Sequence, residues 1–397
     1  MTQPSVLISG AGIAGLTAAV ALARQGVQVT LVERRTGFSE VGAGLQLSPN
    51  ATRTLRGLGL FEAARREAVS IRELVVRRWK DAREIGGMPM QSAPEADNAP
   101  FWAIRRADLQ TALVDAVRMQ PGIRLMVGRK VMGFQDAGSG VLATVETERG
   151  QREEIAASAL VAADGAWSVV RTQLEPKALP EFLGYEAWRT LIPARAAPAE
   201  ACEPNANLWL GRNRHAVHYP VEGDRTINLV VIRAGRDPTP DWDRTPALGQ
   251  DETLSDEAAP ALRALISSAP GWRLWSLFDR GAPHYGAGRV ALMGDAAHPV
   301  LPFMAQGACL AIEDAAVLAG RLAPALGQGP EAVAAAIASY GQARRARAAR
   351  VQNGARANGR VYHAGFPLDL ARDIALRRLR GEGMRRRYDW LYGWRPA

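Results

Sequence analysis

The chain has 397 residues, 47% apolar and 22% charged, an ordinary globular mix that excludes a disordered, collagen-like or coiled-coil protein. No apolar run reaches the ~18 residues of a membrane span, and two cysteines, Cys202 and Cys309, are too few for a disulfide framework or a Cys-based zinc site. The formal net charge of +9 is uneven: residues 341–397 carry 14 Arg and 4 acids, a net of +10.

The opening Met-Thr-Gln-Pro has no basic flank or cleavage site, so a secretory signal is not expected. The expectations are a cytoplasmic protein with no membrane partner and no metal. The Arg-rich end could bind nucleic acid, form a helical surface or sit near an anionic ligand. Its apolar residues, among them Leu368, Ile374, Trp390 and Trp394, favour a packed helical segment, so no nucleic-acid partner is expected.

In chain order, 5–9 reads as a buried strand, 13–25 as a helix ending before Gly26, and 27–33 as a second strand. This βαβ unit requires a right-handed crossover and a parallel sheet. Residues 82–100, rich in Gly, Pro and Ala, read as a loop; 107–119 as a helix; 141–147 and 155–163 as strands. Alternation over 206–211, 214–221 and 225–233 predicts an antiparallel sheet, and Pro238, Pro240 and Pro246 a loop. A helix is expected at 257–268, a buried strand at 289–293, and long helices at 308–326 and 330–360.

The implied fold class is α/β: a Rossmann-like domain with an inserted antiparallel-sheet domain and a C-terminal helical tail. The expected division is 1–70, 101–176 and 281–350 for the nucleotide-binding domain, 71–100 and 177–280 for the substrate domain, and 351–397 for the tail.

Gly10-Ala11-Gly12-Ile13-Ala14-Gly15 matches G-x-G-x-x-G between a strand and a helix. Gly10 allows the tight turn, Gly12 lets a pyrophosphate approach the backbone, and Gly15 lets the helix pack close. The helix N-terminus offers N–H donors to phosphate. Glu33 ends the second strand, where a carboxylate accepts from ribose hydroxyls. NAD and FAD both satisfy this pattern. Two further carboxylates follow apolar strands, in Asp164-Gly165-Ala166-Trp167-Ser168 and in Gly294-Asp295-Ala296-Ala297-His298-Pro299. Ligands of open α/β sheets bind at such strand ends.

With these three motifs in order, the chain resembles the class A flavoprotein aromatic hydroxylases, single-component FAD-dependent monooxygenases. It is closest to their salicylate hydroxylase, 3-hydroxybenzoate 6-hydroxylase and 6-hydroxynicotinate 3-monooxygenase group. The resemblance runs from Val41-Gly42-Ala43-Gly44-Leu45-Gln46 through Tyr185-Glu186-Ala187-Trp188-Arg189 and Gly294–Asp314 to Asp389–Trp394. It implies a p-hydroxybenzoate hydroxylase-like fold with FAD bound and NADH binding transiently, NADPH remaining open.

The resemblance implies that Gly10, Gly12, Ala14, Gly15, Glu33 and Arg34 hold the ADP half of FAD, with Val131 at the adenine and Arg106 at the flavin nucleotide. Asp164 would serve FAD and the nicotinamide cofactor, and Gly294 and Asp295 the ribityl–pyrophosphate region. Gly44, Gly307 and Ala308 would flank the flavin ring. The implied reaction adds dioxygen to reduced flavin as a C4a-hydroperoxide and transfers hydroxyl to a small phenolic or hydroxy-heteroaromatic acid, in some cases with decarboxylation. A homodimer or a monomer would fit the family. An FAD oxidoreductase without oxygenated product, or a redox-sensing binder, are the alternatives.

His215 and Tyr219 lie four apart in His-Ala-Val-His-Tyr-Pro. On a strand both face one side, ~13 Å apart, with His218 on the other. Family members place a catalytic His and Tyr at these positions, and His is a natural proton acceptor near neutral pH. Gln46, Gln306 and Pro299 are the expected substrate contacts. Gln46 cannot act as the base, because an amide does not accept a proton at neutral pH. His298 reads as structural.

Overall fold

A computed structural model describes residues 4–38, 43–91, 99–223, 225–235 and 251–396. Val41, Gly42 and the Pro238–Pro246 loop therefore lie outside the described residues, as does 92–98 of the expected 82–100 loop.

The fold is the expected α/β arrangement. A six-stranded sheet holds five parallel strands in the spatial order Val290–Leu292, Ala159–Ala162, Ser5–Ser9, Gln28–Glu33 and Ile123–Val127. These strands are Val-, Leu- and Ile-rich because parallel strands are covered on both faces. The helices Ile13–Ala23 and Gly307–Leu322 pack against each other over this sheet. The chain leaves Ser5–Ser9 toward Gln28–Glu33 on one side, while Ala159–Ala162 and Val290–Leu292 add on the other. That reversal is a topological switch point, where such sheets bind ligands.

The inserted sheet has seven strands. It is antiparallel except where Asn205–Gly211 runs parallel to Glu73–Arg78. Its register decides which side chains share a face. Ala187, Ile232 and His215 form one cross-strand row; Arg189, Val230 and Val217 the next; Leu191, Asn228 and Tyr219 a third. Directly paired residues point the same way, so Arg189, His215 and Tyr219 share one face. The opposite face carries Trp188, Val231 and Ala216 and packs on the helix Pro260–Ser267 through Leu262, Leu265 and Ile266.

Two sequence expectations need correction. Glu84–Pro89 is a strand, paired with Glu73–Arg78, within the stretch read as a loop. Its glycines answer to packing: a Cβ on Gly86 would stand 3.2 Å from Leu376 Cβ, and one on Gly87 would stand 2.7 Å from the Leu74 carbonyl oxygen. The expected 155–163 strand is two strands, Arg152–Ala157 antiparallel and Ala159–Ala162 parallel, parted at Ser158. Pro330–Tyr362 is a single helix that runs through position 350.

The Arg-rich tail folds back as the helices Leu368–Leu379, Glu382–Arg386 and Asp389–Tyr392. Arg344 pairs with Glu313 and Asp314, and Arg347 pairs with Glu313 while donating to the carbonyls of Trp390 and Leu391. Both guanidinium groups stack near the Trp394 ring. Among the described residues no helix is long and apolar enough to cross a membrane.

Candidate active site

The three turns meet at the C-terminal ends of adjacent strands. Gly10 has φ +97°, and a Cβ there would lie 2.6 Å from the Ala163 carbonyl oxygen, on the turn that carries Asp164. Gly15 lies so near the Gly10 carbonyl that a Cβ would come within 1.9 Å of that oxygen. At Gly294, φ +56°, a Cβ would meet Ala14 Cβ at 3.0 Å, so the third turn rests on the first helix. A Cβ at Gly307, the first residue of its helix, would stand 3.9 Å from Asp295 Oδ1.

Gly12 differs from the other two glycines of the motif: nothing lies within 4 Å of where its Cβ would stand. The open space sits over a helix N-terminus, where unpaired N–H groups and the helix dipole favour a phosphate. Glu33 accepts from Ala11 N at 2.8 Å and Arg35 N at 2.9 Å, which holds its carboxylate at the rim of the same turn. Gln110 Nε2 donates to the Ala11 carbonyl oxygen and braces it.

Asp164 Oδ1 is buried without a hydrogen-bond partner, and burial pushes its carboxyl above the usual range. Burial also raises Asp295, against the opposing charges of Arg106 and His298. A turn open over Gly12, a rim carboxylate and two desolvated carboxyls suit a dinucleotide with hydroxyls to donate. The residues present therefore fit FAD. Arg106 begins the helix Arg106–Arg118 and its N–H donates to the Ala43 carbonyl oxygen, beside Gly44. Arg34 is exposed beyond Glu33; Val131 is buried, and Ala308 packs at the edge of the main core.

The substrate-side residues fall into two groups on the shared sheet face. Tyr219 lies against Gly44, where a Cβ would be 2.8 Å from Tyr219 Cε2, and Asn228 Oδ1 accepts from Gly44 N at 2.6 Å. Burial raises the Tyr219 phenol, and the nearby Arg189 charge opposes that shift. Arg189 Nε is buried without a hydrogen-bond partner, and its guanidinium stands 4.8 Å from the Trp275 ring centroid. Burial lowers Arg189 to about 10, so it remains a cation at neutral pH.

His215 belongs to the second group. It is 2% exposed, ringed by Phe303, Tyr362 and His363. Its Nδ1 lies 2.7 Å from His363 Nε2. Burial and the His363 charge hold His215 well below the ordinary histidine range, and burial lowers His363 to about 4. Both rings are neutral at pH 7, the state in which a histidine accepts a proton. His218 faces the other way, near the Trp209 ring, as strand parity predicts.

The expected glutamine contacts are placed differently from one another. Gln46 is half-buried on the strand Gly44–Leu47. Gln306 is 1% exposed with both ends of its amide engaged: Nε2 donates to Ser48 Oγ at 2.9 Å, and Oε1 accepts from Asn50 Nδ2 at 3.2 Å. Gln306 thus braces the wall on the side of the helix Gly307–Leu322. The Pro299 carbonyl accepts from Gln352 Nε2, which ties its loop to the helix Pro330–Tyr362. His298 is fully buried, its Nε2 2.5 Å from Asp314 Oδ2. Among the described residues no three His, Cys, Asp or Glu side chains form a metal site.

Arg189 and His363 had no assigned role in the sequence reading. Arg189 lies in the Tyr185-Glu186-Ala187-Trp188-Arg189 segment of the resemblance, which marks its place in the chain and not a role. His363 gave none, because its partner is 148 residues away.

A family profile described as "FAD binding domain" matches residues 3–355. The chain is 34% identical to 3-hydroxybenzoate 6-hydroxylase 1 of Aquipseudomonas alcaligenes, covering 98% of this chain and 97% of that protein. It is 34% identical to 3-amino-4-hydroxybenzoate 2-monooxygenase of Streptomyces cremeus, over 98% and 94% of the two chains. A salicylate hydroxylase substrate complex superposes with a TM-score of 0.81 at 27% identity, covering 99% of this chain and 96% of the other. With the cradle that FAD requires and relatives similar over their whole length, the chain belongs to the FAD-dependent flavoprotein aromatic hydroxylases.

Proposed function

We propose that this enzyme hydroxylates a small phenolic or hydroxy-heteroaromatic carboxylate at the expense of NADH and O2. The observation that carries this reading is the polarity of one sheet face. Arg189, its Nε buried, stands without a carboxylate partner among the described residues in the row between Tyr219 and a neutral histidine, His215. An unpaired buried cation is costly unless an anion completes it. A substrate carboxylate supplies that anion, and a ring hydroxyl then reaches toward His215. Relatives named for 3-hydroxybenzoate and 3-amino-4-hydroxybenzoate act on acids with this combination of groups.

In this reading FAD rests on Gly10, Gly12, Gly15, Glu33, Asp164 and Asp295, in a unit drawn from 1–70, 101–176 and 281–350. The sheet formed from 71–100 and 177–280 holds the substrate. FAD, when bound, accepts hydride from NADH and activates dioxygen. The chain's own residues orient the ring: Arg189 and Tyr219 bind the carboxylate, and His215 Nε2 accepts the phenolic proton. Removing that proton makes the ring carbon more nucleophilic, as attack by an electrophilic oxygen requires. Phe303, Tyr185 and Tyr362 line the His215 end and exclude water, which keeps reactive oxygen from collapsing to hydrogen peroxide. Gln46 borders the flavin side.

Arg189→Gln tests the carboxylate assignment. Spectral titration of FAD-loaded protein with a phenolic acid and its primary amide should show affinity for the acid falling on the order of 100-fold, the scale of a buried charge-assisted contact. Affinity for the amide changes little. Equal losses for acid and amide would remove Arg189 from carboxylate recognition.

A further inference from the structure

His215 occupies a place where a solitary base could not work well. It is 2% exposed, and aromatic rings surround it. A histidine that takes a proton there becomes a buried cation, and desolvation opposes that charge strongly. Among the described residues neither ring of the His215–His363 pair has a carboxylate partner to offset it. His298, by contrast, is paired with Asp314 and is held in place by that contact. The mechanism above leaves the accepted proton with nowhere to go.

We propose that His363 is the proton outlet of the site: it takes the Nδ1 proton of His215 as His215 Nε2 receives one from the bound phenol. This rests on the reading of His215 as the proton acceptor. The charge balances with no imidazolium left at either ring: the phenolate is matched by the proton given to water. Before transfer His215 carries its proton on Nδ1 and donates it to His363 Nε2, across the observed 2.7 Å. His363 then carries its own proton on Nδ1. As the phenol O–H breaks and a bond forms at His215 Nε2, the Nδ1 proton passes to His363 Nε2, and the His363 Nδ1 proton leaves to water. Phenolate and two neutral imidazoles of the opposite tautomer remain.

The fold builds this contact on purpose-made spacing. The helix Pro330–Tyr362 lies close over the Phe303 loop because Gly354 and Gly359 face Met304 and Phe303; a Cβ at Gly359 would be 2.7 Å from Phe303 Cε2. His363 follows as the C-cap of that helix, and its carbonyl accepts from Asn213 N in the hairpin that leads into the His215 strand. His363 is 8% exposed, and three residues on the chain reaches Phe366, 82% exposed. The pair therefore runs outward from the more buried ring to the less buried one. Among the described residues, the other titratable or charged groups near it are Tyr185 on the strand Glu181–Pro193, Tyr362 on the helix, Arg212 beside Gly365, and Arg372, which donates to the Tyr362 carbonyl and pairs with Asp373.

The test follows the proton. FAD-loaded protein is mixed anaerobically with a phenolic acid in weak buffer containing an indicator dye, and proton release is read alongside phenolate absorbance. His363→Gln keeps a hydrogen-bonding side chain but cannot relay. It is expected to bind the acid with little change in Kd while proton release slows by about tenfold or more. Imidazole is expected to restore the rate in His363→Ala. His215→Gln is expected to abolish phenolate formation. Release at the wild-type rate in His363→Gln, with phenolate formation lost in His215→Gln, would overturn the outlet and leave His215 as base. Wild-type release in both variants would overturn the base assignment together with the outlet. A proton inventory on the wild type needs no variant: mixed-isotope water is expected to give a curved dependence from more than one moving proton, and a straight line would overturn the relay.

Discussion

Gly12→Val is expected to fold normally and to retain almost no FAD. The residue caps the first helix in an extended conformation, φ −75° and ψ −176°, which valine also adopts. Nothing lies within 4 Å of the position its Cβ would take, so the protein itself makes room for the side chain. The ligand does not: that space is the approach to the N–H groups of the helix terminus. A loss on the order of 100-fold in FAD affinity, about 2.7 kcal/mol, is expected. Gly15→Val is the contrast. Its Cβ would fall 1.9 Å from the Gly10 carbonyl oxygen, a backbone atom that cannot turn aside, so the helix would be forced off the sheet. Circular dichroism and flavin absorbance after gel filtration separate the two outcomes. A Gly12 variant that keeps its flavin would move the pyrophosphate away from this turn.

His215→Gln is expected to lower the rate of product formation by ~10²–10⁴-fold, the usual worth of a positioned general base. At about 1.4 kcal/mol per factor of ten this is ~3–6 kcal/mol of barrier. Glutamine fills a similar volume and still offers a hydrogen bond to His363, so folding and FAD retention are expected to persist. The loss should fall on kcat and not on substrate affinity, because in the proposed reading Arg189 and Tyr219, not His215, hold the carboxylate. Flavin reduction by NADH is expected to continue, with hydrogen peroxide replacing hydroxylated product. The check is the ratio of product to NADH consumed. An unchanged ratio would place the base elsewhere.

The nucleotide-binding half was open to reading from sequence because its signals are local. A glycine pattern between strand and helix, and carboxylates just past apolar strands, report their own backbone geometry. Strand parity likewise put His215 and Tyr219 on one face with His218 opposite. What escaped depends on distant partners. Gly86 and Gly87 read as loop residues, yet they sit in a strand whose close neighbours are Leu376 and Leu74. The tail's apolar residues pointed to a packed helical segment, but not to the ion pairs of Arg344 and Arg347 with Glu313 and Asp314 or their stacking near Trp394. The hydrogen bonds of Gln306 to Ser48 and Asn50, more than 250 residues away in the chain, could not be read from its own surroundings. Arg189 stands with a buried Nε that no described residue accepts from, and a missing partner leaves no mark in a sequence.

Aerobic turnover with isotopically labelled dioxygen tests the central claim most directly. FAD-loaded protein, NADH and a panel of phenolic and hydroxy-heteroaromatic acids are incubated, and products are identified by mass, with NADPH as a parallel arm. At least one acid is expected to accelerate NADH oxidation and to yield a product carrying one labelled oxygen atom on its ring. NADH consumption that gives hydrogen peroxide alone with every hydroxy acid would contradict the claim.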